Sequence, residues 1–214
     1  MVGVLGVSAS AILVRFSQAP SGVTAAYRLG WTVLLLLPVV LLRCRAELRR
    51  VTARDLVLCG ASGVLLALHF LTWFESLKRT SVASSTVLVS TEVIFTALGF
   101  ALFLHGKIPR LGVWAILLAF GGSALLALSG GGGAGELSGN LLALAAASAA
   151  AVYTLIGRIQ RGHLSTTVYT FLTYLACFLT LLLGTAAAGT PLTGYGGREW
   201  LIGLALAVLC TLLG

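Results

Sequence analysis

The sequence predicts an all-α polytopic membrane protein, on three observations. Of its 214 residues, 58% are hydrophobic and only 9% are charged, whereas a soluble domain carries about 25% charged residues. Mean hydropathy is +1.04. The apolar residues fall in blocks close to the roughly 20 residues that a spanning helix needs, and most basic residues lie between the blocks. Blocks such as Trp31–Leu42 and Ala115–Leu128 do not alternate polar with apolar, so they read as helices and not as barrel strands.

Eight spans follow along the chain. Val2–Phe16 is short and begins at Met1 without a flanking charge. The turn Gln18-Ala19-Pro20-Ser21-Gly22 separates it from Val23–Leu42 by its Pro and Gly content. The basic loop Arg43–Arg54 leads into Asp55–Leu77. Lys78-Arg79-Thr80-Ser81 is a tight hairpin before Val82–Leu104. Leu111–Ser129 is the fifth span, and the glycine-rich run Gly130–Gly135 links two halves. Leu137–Ile159 contains the small-residue stretch Ala143–Ala151, which lets helices approach closely. Thr166–Ala187 is the seventh span. The eighth, Trp200–Gly214, stops at 15 residues, too short to cross unaided.

The formal net charge of +8 reads as anchoring and orientation, and nucleic acid is not expected as a partner. The even-numbered loops hold nine basic residues: Arg43, Arg45, Arg49, Arg50, Arg54, Lys107, Arg110, Arg158 and Arg161. The odd loops and their edges hold five: Arg15, Arg28, Lys78, Arg79 and Arg198. By the positive-inside rule the amino terminus is cytoplasmic, in the inner (cytoplasmic) membrane of the cell. Cys44, Cys59, Cys177 and Cys210 are dispersed, with no CxxC and no Cys/His cluster, so neither a disulfide nor a metal site is expected. There is no P-loop, HExxH or GxSxG, no cofactor is implied, and the few His and acidic residues form no catalytic set. An enzyme is not expected.

A faint repeat appears at an offset of about 144 residues. Arg54-Asp55-Leu56-Val57-Leu58 parallels Arg198-Glu199-Trp200-Leu201-Ile202, and Ala19-Pro20-Ser21 parallels His163-Leu164-Ser165. Five spans per copy is odd, so the copies would insert with opposite orientation, as in transporters whose substrate site lies between the repeats. The first repeat is then 1–134 and the second, incomplete, 135–214. Gly214 corresponds to about Phe70, which predicts a fragment that stops within its eighth helix.

LALHFLTWFESLKRTSVASSTVLVSTEVIFTALGFALF (Leu66–Phe103) resembles the EamA family of the drug/metabolite transporter (DMT) superfamily. So do Ala25–Pro38, Gly139–Arg161 and Thr167–Leu183, in the same order along the chain. The resemblance implies a ten-helix fold of two inverted five-helix repeats, cytoplasmic termini, and efflux of small metabolites such as amino acids. Three departures stand out. Val93 occupies a position where the family often has Pro, which puts a kink there in doubt. His105-Gly106 replaces a common Glu. A Trp often found just before the Tyr153 position is alanine here, so the substrate cannot be carried over from relatives.

Four residues are candidates for binding substrate. In the third span His69, Trp73 and Ser76 fall at i, i+4 and i+7, with Ser62 seven residues earlier, which makes one face. Imidazole, indole and hydroxyls are costly against lipid, so that face should look inward. Trp73 would stack on a substrate and His69 would hydrogen-bond it; the alternative is interhelical packing. Glu92, in the middle of VLVSTEVIF, costs about 2.5–3.5 kcal/mol on insertion scales. It reads as a proton-coupling carboxylate, a counter-charge for a substrate amine, or a structural acid. It shares a face with Ser85 and Thr96. Tyr153 is an aromatic lining candidate, as are Tyr169 and Tyr174. Glu75 is expected to make an interfacial ion pair near Lys78 and Arg79. Arg28 and Arg15 are expected to snorkel to headgroups, though Arg28 could attract an anionic group. Asn140 should anchor the sixth span.

The function expected is secondary export of small metabolites, most closely amino acids or related compounds, by alternating access; proton coupling is one of the three readings of Glu92 and is not part of that expectation. The partners are a small-molecule substrate and the lipid bilayer; oligomeric state is not readable. The alternatives are a membrane-embedded enzyme acting on a lipid-linked substrate and a non-transporting fragment or scaffold.

Overall fold

The computed structural model describes residues 10–106, 108–129 and 134–212. Most of the first predicted span, Lys107 and most of the glycine-rich link lie outside the described residues. The described chain is helical throughout: α1 (residues 10–16), α2 (Ser21–Arg43), α3 (Arg45–Leu48), α4 (Ala53–Arg79), α5 (Val82–Ser90), α6 (Glu92–Phe103), α7 (Arg110–Ser129), α8 (Ala134–Gln160), α9 (Thr166–Ala187) and α10 (Gly197–Ala205), followed by a π-helical stretch Leu206–Leu212. Among the described residues, five segments are long and apolar enough to cross a membrane: α2, α4, Val82–Phe103, Glu136–Gln160 and α9. Arg110–Gly122 is a shorter apolar helix.

α4 is the hub, packed along α8 and α9, while α2 lies against α9 and α10. α5 and α6 cover α8, and α7 packs on α5 and α6. Two features of sequence make this possible. Ala143, Ala146, Ala147, Ala150 and Ala151 are all buried, so the small run of α8 brings its backbone close to its neighbours. Gly63 does the same between α4 and α9. A Cβ there would stand 2.6 Å from the Ala176 Cβ and 2.7 Å from both the Cys177 nitrogen and the Thr173 oxygen. The outer surface is apolar, with Leu42, Val93, Leu102, Phe103, Leu111, Leu118 and Leu183 exposed, as a lipid-facing surface requires.

The start of α4 is fixed by a capping box. The Thr52 hydroxyl accepts from the Asp55 N–H at 3.3 Å, and Asp55 Oδ2 accepts from the Thr52 N–H at 3.0 Å. Gln160, at the end of α8, donates to Asp55 Oδ1 at 3.2 Å, so the same carboxylate ties α8 to α4. Thr52→Ala is expected to lower stability by about 1 kcal/mol, read as a lower melting temperature in detergent.

The predicted fourth span is interrupted. α5 ends at Ser90, Thr91 forms the join and α6 begins at Glu92. No proline is needed. The Ser90 hydroxyl donates to the Thr86 carbonyl at 2.8 Å, and that of Thr91 to Leu88 at 2.6 Å. Such back-bonding competes with the helical ladder and bends it. The Thr91 N–H also turns back to Leu88 O at 3.1 Å. Glu92 therefore sits in the first turn of a helix at mid-segment, where the helix dipole favours a carboxylate.

Candidate functional site

The face nominated on α4 does point inward, and neighbouring helices take up most of its polar atoms. Ser62 Oγ is 2.6 Å from the Tyr169 hydroxyl of α9, Ser76 donates to Ser85 of α5 at 2.9 Å, and His69 Nδ1 lies 3.0 Å from the Ala146 carbonyl of α8. That last bond makes Nδ1 the protonated nitrogen of the ring and leaves Nε2 as an acceptor when the ring is neutral. His69 meets Phe70 edge-on with centroids 5.1 Å apart, and Trp73 at 5.7 Å. Trp73 Nε1 is buried and has no hydrogen-bond partner among the described residues.

Tyr153 and Glu92 converge on a different wall. Tyr153, Thr154, Gly157, Arg161, Thr166, Tyr169 and Thr170 line a cavity of about 200 Å³ between α8 and α9. The Thr154 hydroxyl donates to Glu92 Oε1 at 2.9 Å, so the acid stands one hydrogen bond behind that wall. Tyr153 also meets the hydroxyl of Tyr174. The two halves of the nominated set are linked, because Tyr153 packs on the core cluster that contains Trp73 and Phe70.

A larger cavity lies elsewhere. About 450 Å³ opens between α2, α9 and α10, lined by Tyr27, Trp31, Phe178, Leu182 and Trp200 among others. Tyr27 and Trp200 stack at 4.1 Å, and Trp31 meets Trp200 edge-on at 6.4 Å. Neither His69, Trp73, Glu92 nor Tyr153 reaches it. Its wall is almost wholly apolar and offers no charge to a polar solute, so the smaller cavity is the better candidate despite its size. The i, i+4 spacing of Tyr27 and Trp31 was the signal in sequence for an aromatic face on α2; pairing with Trp200 depends on tertiary contact.

At the end of the bundle where α1 turns into α2, polar groups close the chain together. Ser17 donates to Glu199 Oε2 at 2.6 Å, and the Gln18 N–H to Glu199 Oε1 at 3.1 Å. Lys78 donates to the Ala19 carbonyl at 3.0 Å. Glu75 pairs with Arg79 at 2.9 Å and accepts from Ser21 at 3.0 Å. Arg15 caps the end of α4, donating to the carbonyls of Leu77 and Thr80. Thr80 donates to Asn140 Oδ1 at 2.9 Å, which anchors α8.

Arg28 departs from expectation. It does not snorkel: only 7% of it is exposed. Nε donates to Thr211 Oγ1 at 3.0 Å and Nη1 to Ser10 Oγ at 3.2 Å, and the guanidinium lies 4.6 Å over the Phe70 ring. The tilt of the side chain into the bundle, where hydroxyls and an aromatic face wait, wins over the route to the headgroups.

Residues 1–128 match the model of the EamA-like transporter family. The chain belongs to that family. It is therefore a multi-pass membrane protein of a transporter family within the DMT superfamily. A crystal structure superposes on this EamA-family chain with a TM-score of 0.65, covering 98% of it and 74% of the solved chain at 19% identity. At that identity the likeness establishes the fold. No curated protein matches the chain.

Proposed function

We propose that this EamA-family chain exports small metabolites, amino acids or related compounds, by alternating access. One half of the bundle rocks against the other around a site near mid-membrane. His69, Trp73, Glu92 and Tyr153 line the route, with Glu92 as the proton-coupling carboxylate. The amino terminus and the Arg43–Arg54 loop face the cytoplasm by the positive-inside rule. The chain carries solute and transforms none.

One observation carries this reading. Glu92 lies in the middle of a 22-residue apolar segment, at a helix break, and its carboxylate is bonded to the wall of a cavity that Tyr153 and Tyr169 share. Discontinuous helices and mid-span acids mark solute and ion pathways. The volume of about 200 Å³ suits a small solute.

The test is uptake of labelled alanine, glutamine and tryptophan into sealed proteoliposomes. Uptake is expected to saturate, and Tyr153→Phe, which removes one hydroxyl, to weaken it roughly threefold to tenfold for a hydrogen bond of about 1 kcal/mol. Uptake that does not saturate, or that Tyr153→Phe leaves unchanged, counts against the site. Product formed from a lipid-linked substrate in detergent, with no sealed compartment, would favour the enzyme reading instead.

A further inference from the structure

Arg28 is a buried cation without an acid. Among the described residues the ion pair is Glu75–Arg79, and no carboxylate pairs with Arg28. Its surroundings are hydroxyls, a phenyl ring, and the side chains of Tyr174, Cys177 and Cys210. A charge held inside an apolar bundle by neutral groups alone is poorly compensated, and intramembrane cations normally face a partner or a solute path.

We propose that Arg28 receives a carboxylate of the transported solute. This rests on the transporter reading above and names the chemical class of its cargo. The guanidinium fork matches a carboxylate in two parallel N–H···O bonds. Three contacts fix its plane: Phe70 beneath it, the Thr211 hydroxyl at Nε and the Ser10 hydroxyl at Nη1, which leave the N–H groups of Nη2 and one of Nη1 for a carboxylate. Thr211 is delivered by the π-helical stretch Leu206–Leu212. π turns are rare and are found frequently at functional sites. The aromatic chain then runs from Phe70 through His69 to Trp73, whose buried indole N–H has no acceptor among the described residues. His69 Nδ1 is engaged by Ala146. The Arg28 guanidinium and the Trp73 indole N–H are both donors, which favours an anion over an amine at this end of the route. The guanidinium is enclosed by α1, α2, α4, α9 and the π stretch, so a solute reaches it only as the halves rock.

The test is thermal unfolding of the full chain in detergent with succinate, alanine, putrescine, glucose or inorganic phosphate. Succinate and alanine should raise the melting temperature; putrescine and glucose should not. Arg28→Gln should abolish the shift. Arg28→Lys keeps the charge without the fork, and should raise the succinate concentration needed by about tenfold. It decides the matter if Arg28→Gln does not fold. The proposal is overturned if carboxylates give no shift in the wild type, if phosphate alone protects, or if Arg28→Lys responds like the wild type. Labelled alanine in sealed vesicles separates the two readings. Arg28-dependent protection without any crossing leaves the carboxylate site standing and sinks transport. Crossing with KM unchanged in Arg28→Lys does the reverse.

Discussion

Glu92→Gln is expected to abolish pH-gradient-driven accumulation of a labelled amino acid in sealed proteoliposomes while leaving downhill exchange in place. The carboxamide cannot take up or release a proton, yet it is nearly isosteric. Its oxygen can still accept from Thr154, which donates to Glu92 at 2.9 Å, so the fold is retained. One pH unit stores about 1.4 kcal/mol per proton, or tenfold in concentration ratio. The wild type should therefore accumulate solute by about that factor for each proton coupled, and the variant should stop at equal concentrations. Accumulation that persists in Glu92→Gln makes Glu92 a structural acid. An intact gradient response with a raised KM for amine-bearing solutes makes it a counter-charge.

The second large effect concerns stability. Gly63→Ala should destabilise the protein by roughly 1–3 kcal/mol, the range for inserting a methyl group into a tight contact. The new Cβ would meet the Cys177 nitrogen and the Thr173 oxygen at 2.7 Å. Both are backbone atoms of α9, so relief requires α4 and α9 to move apart. Gly60→Ala in the same helix is the control. Nothing lies within 4 Å of its Cβ position, and replacing a helical glycine should stabilise by up to about 1 kcal/mol. Melting temperatures in detergent should move in opposite directions. Equal shifts would show that α4 and α9 pack more loosely than these distances state.

Much of the architecture was legible because membrane helices are written in composition and length. The third span, predicted as Asp55–Leu77, is α4, Ala53–Arg79; the seventh, Thr166–Ala187, has the bounds of α9. The break at Thr91 was harder to see. Val93 in place of a proline argued for continuity, and hydroxyl back-bonding to Thr86 and Leu88 interrupts the helix regardless. The fate of Arg28 was not legible at all. Position near a helix start suggests snorkelling, whereas the outcome depends on Ser10, Phe70 and Thr211, which come from three other parts of the chain.

Composition and residue spacing are enough to establish that the chain is all-helical and membrane-embedded, that the polar face of α4 turns from lipid, and that Glu92 lies deep in an apolar segment. Those follow from transfer free energies, which each residue carries with it. Which polar groups meet is a matter of how the helices pack. That packing set Tyr153 and Thr154 at a cavity with Glu92 behind them, closed His69 onto Ala146, and surrounded Arg28 with neutral partners. Those choices depend on how closely helices approach. That distance is set at contacts such as Gly63 on α9, between residues more than a hundred positions apart in the chain.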